Sequence, residues 1–92
     1  MTETRRAQPR VDAVIPVNVD GLRAGTTRDV SREGVFFETD TDMRNGSAIH
    51  FSLEYGGKVM LDCAGEIVRV VHVGEKIGVA ARILHSHIER HA

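Results

Sequence analysis

From Val11 onward, apolar and polar residues alternate with a period of two along most of the chain, the signature of strands with one buried face. Val11, Ala13, Ile15, Val17 and Val19 alternate with Asp12, Val14, Pro16, Asn18 and Asp20. Pro16 has no N–H, so it is expected on a free edge or at a bulge. Asp20-Gly21 is a two-residue hairpin signal. The next strand, residues 22–31, is expected to place Leu22, Ala24, Thr26 and Val30 on the core side, with Arg23, Thr27, Asp29 and Ser31 facing out. Gly34 closes a turn and opens Val35-Phe36-Phe37-Glu38-Thr39, after which Asn45-Gly46 marks another turn. Ile49, Phe51, Leu53 and Tyr55 alternate with His50, Ser52 and Glu54, and Gly56-Gly57 turns the chain again. A long strand over residues 58–71 is expected to bulge or bend near Gly65. After a turn at His72-Val73-Gly74-Glu75, Ile77, Val79, Ala81 and Ile83 line the inner face of a last strand.

Six strands joined mostly by tight turns leave exposed edges unless the sheet closes, so an all-β, six-stranded antiparallel barrel is the expected fold. Residues 1–10 have no hydrophobic period and read as a flexible basic arm, residues 11–85 as the barrel, and residues 86–92 as a short C-terminal helix or tail. Ser86-His87-Ile88-Glu89 has the form of a capping box, although a helix this short is marginal without packing.

The chain has 92 residues, the size of one domain. Its formal net charge of -1 excludes a globally basic binder of nucleic acid polymers. No apolar run is long enough to span a bilayer, and the N-terminal arginines lack the apolar stretch of a signal peptide. A lone cysteine, Cys63, rules out an internal disulfide framework and fits a reducing cytoplasm. Charge is distributed unevenly: Arg5, Arg6 and Arg10 cluster in the arm, opposed there only by Glu3. A cationic arm on a near-neutral body suits a small anionic ligand.

Arg6 and Arg10 form an RxxxR pattern. A guanidinium is a planar fork of donors that matches phosphate oxygens in pairs, and it matches O6 and N7 of guanine equally well. Asp29, Ser31 and Gly34 form a DxSxxG pattern. An outward carboxylate accepts hydrogen bonds from the N1–H and N2–H of guanine, and the neighbouring hydroxyl donates or accepts. Gly34 either takes positive φ or lets a ligand approach the backbone closely. Each pattern alone fits an ordinary basic tail or an ordinary turn.

In this order the two patterns resemble the PilZ domain family. The resemblance runs on through Val35-Phe36-Phe37-Glu38-Thr39, Asn45-Gly46-Ser47, Gly65-Glu66-Ile67-Val68-Arg69-Val70 and Ile77-Gly78-Val79. It implies a six-stranded barrel that serves as a receptor for cyclic di-GMP, with no catalytic activity and no cofactor. It further implies that Arg6 and Arg10 take phosphate and guanine edges, that Asp29 and Ser31 hold a guanine, and that Gly34 shapes the turn beneath it. Arg5 would contact a second, stacked ligand or serve solubility alone, and Arg69 is a possible addition whose face is ambiguous beside the bulge at Gly65. Binding would order the arm and present a new surface to an unidentified downstream protein. The alternative is a PilZ-like interaction module that does not bind nucleotide.

Other groupings are weaker. His85, His87 and His91 suggest a metal site, but in a frayed tail no carboxylate or cysteine completes a shell, so no metal is expected. No strained elbow surrounds Ser31 and nothing supplies an oxyanion hole, which argues against a hydrolase. Cys63 alternates with Val59 and Leu61 and is expected as a small core residue. Phe36 faces away from Val35 and Phe37, either as a partner contact or beneath the C-terminal helix. One Tyr, three Phe and no Trp leave few platforms for stacking single-stranded nucleic acid.

Overall fold

The structure, a computed structural model, describes residues 14–55 and 59–90, and the arm, the Gly56-Gly57 turn and His91 lie outside that range. Six strands run β1 (Pro16–Val19), β2 (Leu22–Val30), β3 (Gly34–Thr39), β4 (Ala48–Glu54), β5 (Val59–Val73) and β6 (Lys76–Arg90). All neighbours are antiparallel, and the order β1-β2-β3-β6-β5-β4 closes into a barrel where β1 pairs with β4. Closure satisfies backbone groups that an open meander would expose at its edges. The β1–β2 connection is the two-residue turn expected at Asp20-Gly21, with φ of 52° and 85°, so both positions need the left-handed conformation that Asp tolerates and Gly favours.

The barrel lumen is filled by side chains. Val17, Val35, Phe37, Ile49, Phe51, Leu53, Ile67 and Val79 are buried there. The rings of Phe37 and Phe51 lie 6.4 Å apart between centroids and tilted by 33°, within the range of favourable aromatic pairs. Cys63 is buried in this core, as its alternation suggests, and burial pushes its thiol up to about 11.

The expected phase of β2 is corrected by two bulges. Between the pairs Val17↔Gly25 and Asn18↔Arg23, Ala24 is an extra residue, and between Thr27↔Phe37 and Asp29↔Phe36, Arg28 is another. Thr27 is therefore fully buried, Thr26 and Leu22 are exposed, and the core side of β2 passes from Thr27 to Val30 across the inserted Arg28. Strict alternation fails because each bulge shifts the period by one. The bulged Arg28 turns its guanidinium to Glu38 at 2.7 Å on the outer wall.

A second correction concerns the C-terminus. Among the described residues there is no helix, and Ser86-His87-Ile88-Glu89 continues β6, paired with Cys63, Asp62, Leu61 and Met60. The first half of β5 has β4 on one side and would leave its other side unpaired. Extending β6 supplies backbone partners there, whereas a six-residue helix falls below the length at which helix propagation repays nucleation. Phe36 accordingly does not lie beneath a helix: its ring packs over Gly78, where an added Cβ would stand 2.6 Å from Phe36 Cζ. The bend expected near Gly65 is present, with Leu84 extra on β6 and Val68 extra on β5. No helix among the described residues is long and apolar enough to cross a membrane.

Candidate ligand-binding groove

Because the lumen is full, the barrel offers its chemistry on the outer wall. Cross-strand pairs place four outward residues in one row: Asp29 on β2, Phe36 on β3, Ala80 on β6 and Arg69 on β5. Three strand spacings make this row about 14 Å long. An acid stands at one end, a base at the other, and between them lie an aromatic ring and a side chain too small to fill the space. The next row outward along the strands is Gly34, Arg82 and Glu66, where Arg82 Nη2 donates to Glu66 Oε1 at 2.6 Å. Gly34, Arg82, the first row and the β2–β3 turn bound an open groove of about 830 Å³.

Local chemistry fixes the turn. The Ser31 N–H donates to the Gly34 carbonyl at 2.9 Å, and the Glu33 N–H donates to Ser31 Oγ at 3.3 Å. The Glu33 carbonyl accepts from the Ile83 N–H at 2.8 Å, which ties the turn to β6. Ser31 thus organises the turn with its hydroxyl while bordering the groove.

Gly34 does not have positive φ, so the left-handed role open to it from sequence is not the one it plays. Its requirement is closeness to the next strand, since a Cβ there would stand 2.8 Å from the Ala81 carbonyl oxygen. Gly34→Ala should therefore force β3 and β6 apart locally and destabilise the domain by about 1–3 kcal/mol, the usual range for overpacking. A urea titration showing an unchanged midpoint would contradict this.

The strand arrangement brings Asp29, Ser31, Gly34 and Arg69 to one groove. Arg69, ambiguous from sequence, faces this wall because the Val68 bulge resets the parity of β5. Arg5, Arg6 and Arg10 lie outside the described residues. Glu33, Phe36, Ala80 and Arg82 also line the groove and were not among the residues expected to do so. The outward parity of Ala80 and Arg82 follows from the buried Val79 and Ala81, but their place beside Asp29 depends on the crossover that puts β6 next to β3.

The chain enters the barrel beside this groove. The Ile15 N–H donates to Thr27 Oγ1 at 3.0 Å, and the Thr27 N–H donates to the Ile15 carbonyl at 2.9 Å. Ile15 is thereby fixed two residues from Asp29 along β2.

The architecture defines a small closed barrel whose polar residues converge on its outer surface rather than its interior. A family model described as the PilZ domain matches residues 4–91, and the chain belongs to that family. A similar fold occurs in the solved structure of Bacillus subtilis Inhibitor of motility (MotI/DgrA), with a TM-score of 0.76 and 16% sequence identity over 90% of this chain. The match takes in 44% of that protein, so this chain spans less than half its length. A search of the curated proteins returned no match.

Proposed function

We propose that this domain is a receptor for cyclic di-GMP that changes its surface on binding and so signals to a partner protein. The observation that carries this is the outward row Asp29–Phe36–Ala80–Arg69, flanked by the Ser31–Gly34 turn. Asp29 offers acceptors to a guanine Watson–Crick edge, Phe36 offers a face for the base, and Arg69 offers donors to a phosphate or to the guanine Hoogsteen edge. Family membership supports the same ligand.

The Ile15–Thr27 anchor makes the contribution of the arm geometrically sound. Arg10 precedes Ile15 by five residues, and an extended chain of that length reaches about 17 Å. That span, with the length of the arginine side chain added, brings Arg10 within reach of the row. Arg6 and Arg10 close over the ligand from the solvent side, and Arg5 is positioned in sequence to meet a second copy. Fixing the arm costs about 1–2 kcal/mol per residue, so the charge-assisted bonds have to exceed that loss. The ordered arm and the wall beneath it form the altered surface, and the receptor works by binding rather than catalysis. The lone buried cysteine suits a reducing cytoplasm.

Titration calorimetry of the full chain with cyclic di-GMP tests the proposal. The expected result is saturable binding in the micromolar range, about 8 kcal/mol, with one or two ligands per chain. Absence of heat at millimolar nucleotide would leave instead a PilZ-type interaction module that does not bind it.

A further inference from the structure

The correction at the C-terminus has a chemical consequence. As a strand, His85-Ser86-His87-Ile88-Glu89 places His85, His87 and Glu89 on one outward face at alternate positions. Across the ladder, Asp62 is the direct partner of His87 and turns its carboxylate to the same side. His87 Nε2 lies 3.7 Å from Asp62 Oδ2 and 3.8 Å from Glu89 Oε2. One donor atom from each of the three residues falls within 4.8 Å of the others. The two separations from His87 are too long for hydrogen bonds. They approach the spacing of ligands around a tetrahedral ion, which stand about 3.4 Å apart when each bond is about 2.0–2.1 Å.

We propose that Asp62, His87 and Glu89 form a zinc-type transition-metal site on the outer face of β5 and β6. The donor set selects the class of ion: an imidazole with carboxylates suits zinc, whereas magnesium and calcium prefer all-oxygen shells. His85 and His50 line one depression with Asp62, His87 and the small side chain of Ala64. That leaves room for water or His85 in the fourth position. The ion bridges the two strands where, among the described residues, β6 pairs with β5 alone, so it fastens the end of the long hairpin. This site does not depend on the nucleotide groove, which is bounded along β6 by Ile83.

The test is a zinc titration of the chelator-treated full chain against a competing colorimetric chelator, with cobalt absorption spectra as a second readout. The expected result is one zinc per chain, retained in excess magnesium, with an increase in melting temperature on binding. His87→Ala should weaken zinc binding by about tenfold or more and abolish the ligand-field bands of bound cobalt, while His72→Ala leaves both unchanged. Glu89→Gln removes a ligand from an exposed position and carries the test should His87→Ala fail to fold. Wild-type zinc affinity in both His87→Ala and Glu89→Gln, equal weakening by His72→Ala, or displacement of zinc by equimolar magnesium would overturn the site.

Discussion

Arg10→Ala should weaken cyclic di-GMP binding by about thirty- to a hundredfold, as measured by calorimetry at fixed ionic strength. A hydrogen bond to a charged group contributes about 1.5–3 kcal/mol net, and a guanidinium meeting phosphate or guanine N7 and O6 makes two parallel contacts. Losing about 2–2.7 kcal/mol corresponds to that range of affinity. Arg6→Ala should act in the same direction. Asp29→Asn tests the opposing wall: the amide keeps one acceptor but turns an NH₂ group toward the guanine donors, so binding should fall by about tenfold or more. Lysine at position 10 should rescue only part of the loss, because an ammonium supplies charge without the planar fork. If Arg10→Ala, Arg6→Ala and Asp29→Asn all bind as wild type does, the closing arm has no role and the ligand, if bound, lies elsewhere.

Phe37→Ala should destabilise the domain by about 3–5 kcal/mol. Phe37 has no solvent exposure, stands opposite Val79 on β6 and faces Phe51 across the lumen. Truncation removes the transfer energy of the ring and leaves a cavity that cannot easily collapse, because β3 is hydrogen-bonded to both β2 and β6 at this level. A domain of this size has roughly 5–14 kcal/mol of stability in total, so most of it is at stake. Urea unfolding should show a large fall in midpoint with little change in slope. Phe51→Ala should have a similar cost, and the double variant should lose less than the summed effects because the two rings share one contact.

Much of the barrel is legible in the sequence because its inner residues recur in pairs of short alternating runs. Val35, Phe37 and Thr39 on β3, and Ile49, Phe51 and Leu53 on β4, are buried as the alternation requires. Period-two logic is local, however, and breaks wherever a bulge inserts a residue. It misassigns Thr27 and Leu22 and leaves Arg69 undecided, since each answer depends on where the strand itself carries an extra residue. The helix expected over residues 86–92 fails for a related reason: a capping pattern describes local preference, while the open side of β5 is a demand made by the rest of the fold. Asp29, Ser31 and Gly34 are recognisable as a group from their order, but Phe36 becomes the partner of Asp29 through the bulge at Arg28, and Ala80 and Arg82 join them only through the pairing of β6 with β3.

Arg28 also adds charge to the outer wall. With the insertion, twenty-seven and thirty point inward and the acid between them points out. Removing that single residue would leave Thr27, Asp29 and Val30 in one uninterrupted alternation with the same facing, so the bulge adds an outward residue without turning the acid or the valine. The insertion sets a guanidinium, paired with Glu38, beside the acid on the outer wall while the polarity of that wall stays the same. Between Thr27 and Val30 this face therefore presents two charged side chains where a regular strand would present one.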